Sequence, residues 1–211
     1  MGKWCETLDA VRFSKFVIFH PFKGFWELKR EKRGNVPAAT AILLSVILVF
    51  ILRRQFTGFV LNYNEPNDMN IFLQISYVLF PFFVWCIANW SVTTLMDGEG
   101  SFRDIYIASA YALVPLVIMN IPMLLLSQVL VENEVTIYTL LNTVAILWVA
   151  FLMLIGIMTV HQYTMGRTVA TILVTIVAMI AILTILLLFF SLLQQVWHFF
   201  LLLNFEIFQR K

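Results

Sequence analysis

Residues 95–115 read LMDGEGSFRDIYIASAYALVP, a charged, glycine-bearing stretch between two long apolar runs. Asp97, Glu99, Arg103 and Asp104 surround Gly98 and Gly100, and the chain then turns apolar again with Tyr111 and Pro115. Three readings compete: a phosphate cradle, a catalytic loop, or a connector between two membrane spans. A phosphate cradle needs a preceding strand and a lysine. Both are lacking here, and the carboxylates would repel phosphate. The connector reading accounts for the residues. Gly98 fits a left-handed cap that stops the run before it. Ser101 with Asp104 fits a Ser-x-x-acid capping box that starts the next helix, and Asp104 suits the positive end of that helix's dipole. Glu99 is expected to pair with Arg103.

Outward from this loop the chain is apolar. Of its 211 residues 61% are apolar and 15% aromatic, while 12% are charged against about 25% in a soluble domain. The mean hydropathy is +0.90. The apolar residues fall in continuous runs, which excludes a β-barrel with its alternating pattern. A span takes roughly 20 apolar residues to cross about 30 Å of hydrocarbon. Five stretches qualify, at about 37–56, 71–96, 105–131, 135–160 and 168–193. Their connectors are short, so neighbouring spans are antiparallel. The expected fold is all-α, a compact five-span bundle over 37–193 with an interfacial amphipathic helix at each end. The formal charge of +2 says less than its distribution. Lys3, Arg12, Lys15, Lys23, Lys29, Arg30, Lys32, Arg33, Arg103 and Arg167 share the amino-terminal face, and they outnumber Arg53, Arg54, Arg210 and Lys211 opposite. The amino terminus is therefore expected in the cytoplasm and the carboxyl terminus on the other side. The acidic connectors around Glu65/Asp68 and Glu132/Glu134 then lie outside. No cleavable signal peptide is visible. Cys5 and Cys86 are expected at different depths, which argues against a disulfide.

Residues 1–36 interleave Arg12 and Lys15 with Phe13, Phe16, Val17 and Phe19 until Pro21 breaks the helix. They read as a basic segment lying on the cytoplasmic leaflet. Lys29, Arg30, Lys32 and Arg33 would add attraction to anionic lipids, roughly 1 kcal/mol per charge. At the other end, Gln194-Gln195 marks the expected exit of span five. Residues 194–211 then form a second amphipathic helix on the outer face, with Gln195, His198, Glu206 and Gln209 on one side. One long tilted helix is the alternative.

Sites of chemistry are scarce. The chain carries no G-x-S-x-G, H-E-x-x-H or P-loop motif. His20, His161 and His198 have no Cys, Asp or Glu beside them at ligand spacing, so neither a metal nor a cofactor is expected. The span interiors hold no acidic or basic residue apart from Arg53-Arg54 at the end of span one, and these are expected to snorkel or to mark that end. Asn89 and Asn120 are expected to hydrogen-bond between helices. Span three is the oddest, with Pro115 and Pro122 flanking Asn120. Each proline leaves the carbonyl four residues earlier, Tyr111 or Ile118, without its helical partner. A kinked helix results, which packs at a fixed angle or walls a cavity.

The run Gly98-x-Gly100-Ser101-Phe102-Arg103, followed by Tyr111-x-x-x-Pro115, resembles the signature of Yip1-type membrane proteins. The stretch HPFKGFWELKREKRGN, His20 to Asn35, resembles short bacterial members of that family. The resemblance implies five spans and no catalysis. Eukaryotic members serve ER–Golgi traffic with prenylated Rab GTPases through a longer cytosolic region than this sequence holds ahead of span one, so Rab binding is not expected. Bacterial members often accompany carbohydrate-uptake genes. The expected function is thus that of a non-catalytic integral protein of the bacterial cell membrane that binds or organises other membrane components, as an accessory subunit of a carbohydrate-import assembly. Its expected partners are lipid and other integral membrane proteins, including sugar-transporter subunits, and not nucleic acid. A small transporter or channel built on the kinked third span is the alternative. A eukaryotic-type trafficking factor is a further one.

Overall fold

The structure is a computed structural model that describes residues 3–58, 70–131 and 134–209, with side chains placed for 7–58, 70–131 and 134–202. The expectations for Lys3, Cys5, the Glu65/Asp68 connector, Glu132, Glu206, Gln209, Arg210 and Lys211 concern groups outside that description. The helices in order are α1 (Lys3–Phe19), α2 (Pro21–Arg30), α3 (Val36–Phe56), α4 (Ile71–Leu95), α5 (Phe102–Ala112), α6 (Val114–Leu126), α7 (Val135–His161) and α8 (Met165–Gln209). Among the described residues there is no strand. Five helical stretches are long and apolar enough to cross a membrane: α3, α4, α5 with α6, α7, and α8. The fold is an all-helical membrane bundle.

Local chemistry sets the helix ends. Asn35 caps α3, its side chain accepting from Ala38 N–H at 2.8 Å, and Asn70 caps α4 by accepting from Phe72 and Leu73 N–H. α7 stops at Gln162, whose φ of 55° is left-handed. The spans alternate in direction. One end of the bundle, here the near end, gathers Asn35, residues 96–101, His161 and Met165. The far end gathers Thr57 and Ser127, where Gly58 N–H donates to Ser127 Oγ at 3.1 Å and the Gln128 amide donates to Phe56 O.

α5 occupies the centre, packed against α3, α4 and α7. Its small residues Ala110 and Ala112 are fully buried, letting neighbouring backbones approach closely. The kink expected in span three is a one-residue break at Leu113, with Pro115 in the first turn of α6 and Pro122 inside it. Proline tolerates a first turn because its missing N–H had no helical partner there. The break closes locally, as Leu113 N–H donates to Ala110 O at 3.2 Å.

The two ends of the chain differ from expectation. α1 buries Ala10, Ser14, Val17 and Ile18 against α3, α5 and α6, whereas Phe19 is 73% exposed. A stripe of Ala10, Ser14, Val17 and Ile18 therefore fixes α1 to the bundle, with Phe13 partly buried beside it. The separate helix expected over 194–211 is absent: α8 runs unbroken for 45 residues. No glycine or proline follows Gly166, and glutamine is a good helix former, so nothing at Gln194-Gln195 stops the backbone. α8 meets α4 through Thr168, Thr171 and Thr175, all fully buried, while residues 187–202 are exposed on every face.

Candidate functional site

The loop between α4 and α5 is held by a closure at each end. α4 ends at Leu95 with Met96 as its cap, and Asp97 takes the left-handed conformation at φ 52°. Gly98 N–H then donates back to Thr93 O at 2.8 Å, a Schellman-type bond. The left-handed residue is thus Asp97 and not Gly98, a correction: no glycine in the described chain has a positive φ. At the other end Ser101 Oγ accepts from Asp104 N–H at 3.3 Å while Asp104 Oδ2 accepts from Ser101 N–H at 3.1 Å. That reciprocal pair is the capping box read from the sequence.

Gly98 and Gly100 are glycine for a different reason, the closeness of His161. A Cβ on Gly98 would lie 2.5 Å from His161 Nδ1 and 2.7 Å from the Tyr163 hydroxyl, and one on Gly100 would lie 2.5 Å from Val160 Cγ1 and 2.6 Å from His161 Cε1. Gly100 N–H donates to His161 Nδ1 at 3.2 Å. An accepting Nδ1 assigns the neutral imidazole with its proton on Nε2. The ring is 2% exposed, and its Nε2 has no partner among the described residues. Beside it lies a small recess of about 10 Å³ lined by Ile105, Ser109 and Gly156 among others.

Tyr163 stacks on His161 with centroids 5.4 Å apart, and its hydroxyl donates to Met96 O at 2.9 Å. The Arg167 guanidinium covers the Tyr163 ring at 4.5 Å, donates to Met96 O and lies 4.0 Å from Asp97. Burial pushes the Tyr163 phenol above its ordinary value, with Arg167 opposing and Asp97 adding.

The basic cluster divides. Lys29, 14% exposed, donates to Val160 O and lies 3.8 Å from Glu99. Glu99 therefore pairs with Lys29 and not with Arg103, because the α2 lysine reaches under the loop. Arg33 joins Glu27 at 3.3 Å and Glu31 at 2.9 Å and covers the Phe13 ring at 5.4 Å. Only Arg30 and Lys32 of the four are left as exposed charges outside these contacts. Phe102 meets Trp90 edge to face at 6.2 Å, and Arg103 is exposed. Tyr111, fully buried, donates from its hydroxyl to Ala10 O at 2.9 Å, so the span-three tyrosine ties α1 into the core.

The remaining expected residues lie elsewhere. Asn120 sits at the far end with Arg53, whose Nη1 donates to Asn120 Oδ1 at 2.8 Å and to Asn142 Oδ1 at 2.9 Å. Pro115 and Pro122 shape α6 between the two ends. Asn89 reaches across to Thr175 at 3.5 Å. Among the described residues no three of His, Cys, Asp and Glu gather as a metal group.

A family model for the Yip1 domain matches residues 15–205. The chain belongs to the Yip1 family. No curated protein and no solved structure matches it. The Yip1 match runs from α1 to the last turns of α8, so it includes the near-end loop and every residue that fastens it. Sequence reasoning weighed His161 only as a metal ligand and gave Lys29 to the lipid surface, so it missed both as fasteners of the loop, and it passed over Tyr163. The available signal was two glycines in a row of charges, which mark a close approach by another group.

Proposed function

We propose that this Yip1-family protein is a non-catalytic integral membrane protein that binds and organises other membrane components through the near-end loop, residues 97–104. One observation carries the reading. The loop is fastened from beneath by His161, Tyr163 and Lys29, while Asp97, Glu99, Phe102 and Arg103 are exposed. A loop held at both ends loses little entropy when a partner docks. Its surface offers both charge signs and an aromatic edge, a composition suited to a protein contact.

The excess of Lys and Arg on this face supports a cytoplasmic loop. The likeness to short bacterial members supports an accessory place beside a carbohydrate-import assembly in the bacterial cell membrane. The test is affinity purification of the full chain from its native membrane in mild detergent, beside the Arg103→Glu variant. A membrane-protein partner recovered with the unaltered chain and lost with Arg103→Glu is the expected result. Recovery of the unaltered chain as an isolated monomer overturns the reading.

A further inference from the structure

The far end of the bundle holds a positive charge whose partners among the described residues are neutral. Arg53, in the last turn of α3, is half-buried. Its Nη1 donates to the amide oxygens of Asn120 on α6 and Asn142 on α7, and its guanidinium lies 5.4 Å over the Tyr138 ring. Asn120, 1% exposed, is aimed by its own Nδ2, which donates to Leu116 O at 2.7 Å. Amide oxygens and a ring face solvate a cation without cancelling its charge. Among the described residues no carboxylate lies within ion-pair distance of Arg53. Both amide bonds use Nη1, so the Nη2–Nε edge has no acceptor among the described residues. That edge is the side of a guanidinium that takes two oxygens of one phosphate.

An apolar cleft of about 320 Å³ begins one turn deeper, between α3, α4, α6, α7 and α8. Val46, Phe50, Tyr77, Leu113, Leu116 and Met153 are among its lining residues, and Tyr77 is 66% exposed. Helical spacing puts cleft and cation on one line. Val46, Phe50 and Arg53 follow at i, i+4 and i+7 on α3, and Leu113, Leu116 and Asn120 follow at i, i+3 and i+7 across the break into α6. On α7, Asn142 and Met153 are about three turns apart on the same face. An apolar slot that ends in a cation near the membrane boundary is the complement of an amphiphile with an anionic head.

We propose that this combined site holds one phospholipid of the leaflet opposite the amino terminus, with an acyl chain in the cleft and the phosphate diester on Arg53. The order of the two parts matches a lipid's own: cation at the boundary, slot toward the midplane. A free phosphate would use Arg53 and leave the slot empty.

The full chain is reconstituted in phosphatidylcholine vesicles doped with a phosphatidylglycerol that carries a mid-chain diazirine, and irradiated. Crosslinks are expected in the peptides that hold Phe50, Tyr77, Leu116 and Met153. Arg53→Met should cut that labelling by roughly tenfold. Leu116→Phe, which fills the slot and spares the Arg53 contacts, should do the same and decides the matter if Arg53→Met fails to fold. Excess inorganic phosphate should leave labelling unchanged; protection by phosphate would identify a free-anion site instead. Labelling that is indifferent to both substitutions, or spread over the bare part of α8, overturns the proposal. Indifference to Arg53→Met alone in a folded chain overturns it too, and is the outcome expected if a connector carboxylate occupies the guanidinium. Loss of the near-end partner does not bear on these outcomes.

Discussion

Gly100 has no side chain because His161 and Val160 fill the place one would take, and that contact makes the near end a single unit. Gly100→Ala forces a Cβ to within 2.6 Å of the imidazole and should destabilise the chain by about 1–3 kcal/mol. Thermal melting in detergent reads the loss. Adding His161→Ala should restore part of it, since the two changes act on one contact; strictly additive losses would show that the contact is not the cause. Tyr163 gives a second reading. The fold favours its neutral, donating phenol, so its contribution is whole below the ordinary ionisation near pH 10 and is lost as pH climbs through the higher folded value. A melting profile against pH should show an alkaline fall that Tyr163→Phe flattens. The capping box was legible in the sequence because Ser101 and Asp104 are three residues apart. The purpose of the glycines was not, because their neighbour His161 is about sixty residues away and packing is not written locally.

At the level of elements, the break at Leu113 and the tether from Tyr111 work together. The break leaves α5 short and buried, and the Tyr111 hydroxyl then fastens α1 through Ala10 O. Tyr111→Phe should cost about 1 kcal/mol of stability and make α1 and α2 more open to limited proteolysis than the spans; equal cleavage rates in the two chains would sink this role. The prolines made the kink legible from sequence. The depth of α1 was not, because its buried stripe of Ala10, Ser14, Val17 and Ile18 is interrupted by a serine and lies beside basic residues that suit a membrane surface equally well. α8 shows the converse error. Gln194-Gln195 reads as a boundary on polarity, yet polarity does not end a helix when no residue breaks its backbone. Removing residues beyond Gln194 should leave the melting of the bundle unchanged, because residues 195–202 are exposed on all sides. A chain that no longer folds without them would refute that.

For the whole molecule, five continuous apolar runs were enough to read the span number, since run length against bilayer thickness is a one-dimensional comparison. Which spans touch is three-dimensional, and nothing in the runs announced that α8 would lean on α4 while α5 took the centre. The proposed cytoplasmic amino terminus and an odd number of crossings together predict a carboxyl terminus on the other side. Reporter tags fused before Met1 and after Lys211 should show opposite accessibility in sealed membranes; equal accessibility would contradict the arrangement. α8 also has a mechanical consequence. It is joined to the body along its first few turns, at Thr168, Thr171 and Thr175, and extends about 67 Å in all at 1.5 Å per residue. That is the geometry of a lever with its fulcrum at one end. A change in tilt of about 10° would carry the tip roughly 8 Å relative to Met179, which lies about 45 Å back along the rod. A displacement too small to disturb the core would thus become a large one at the far tip.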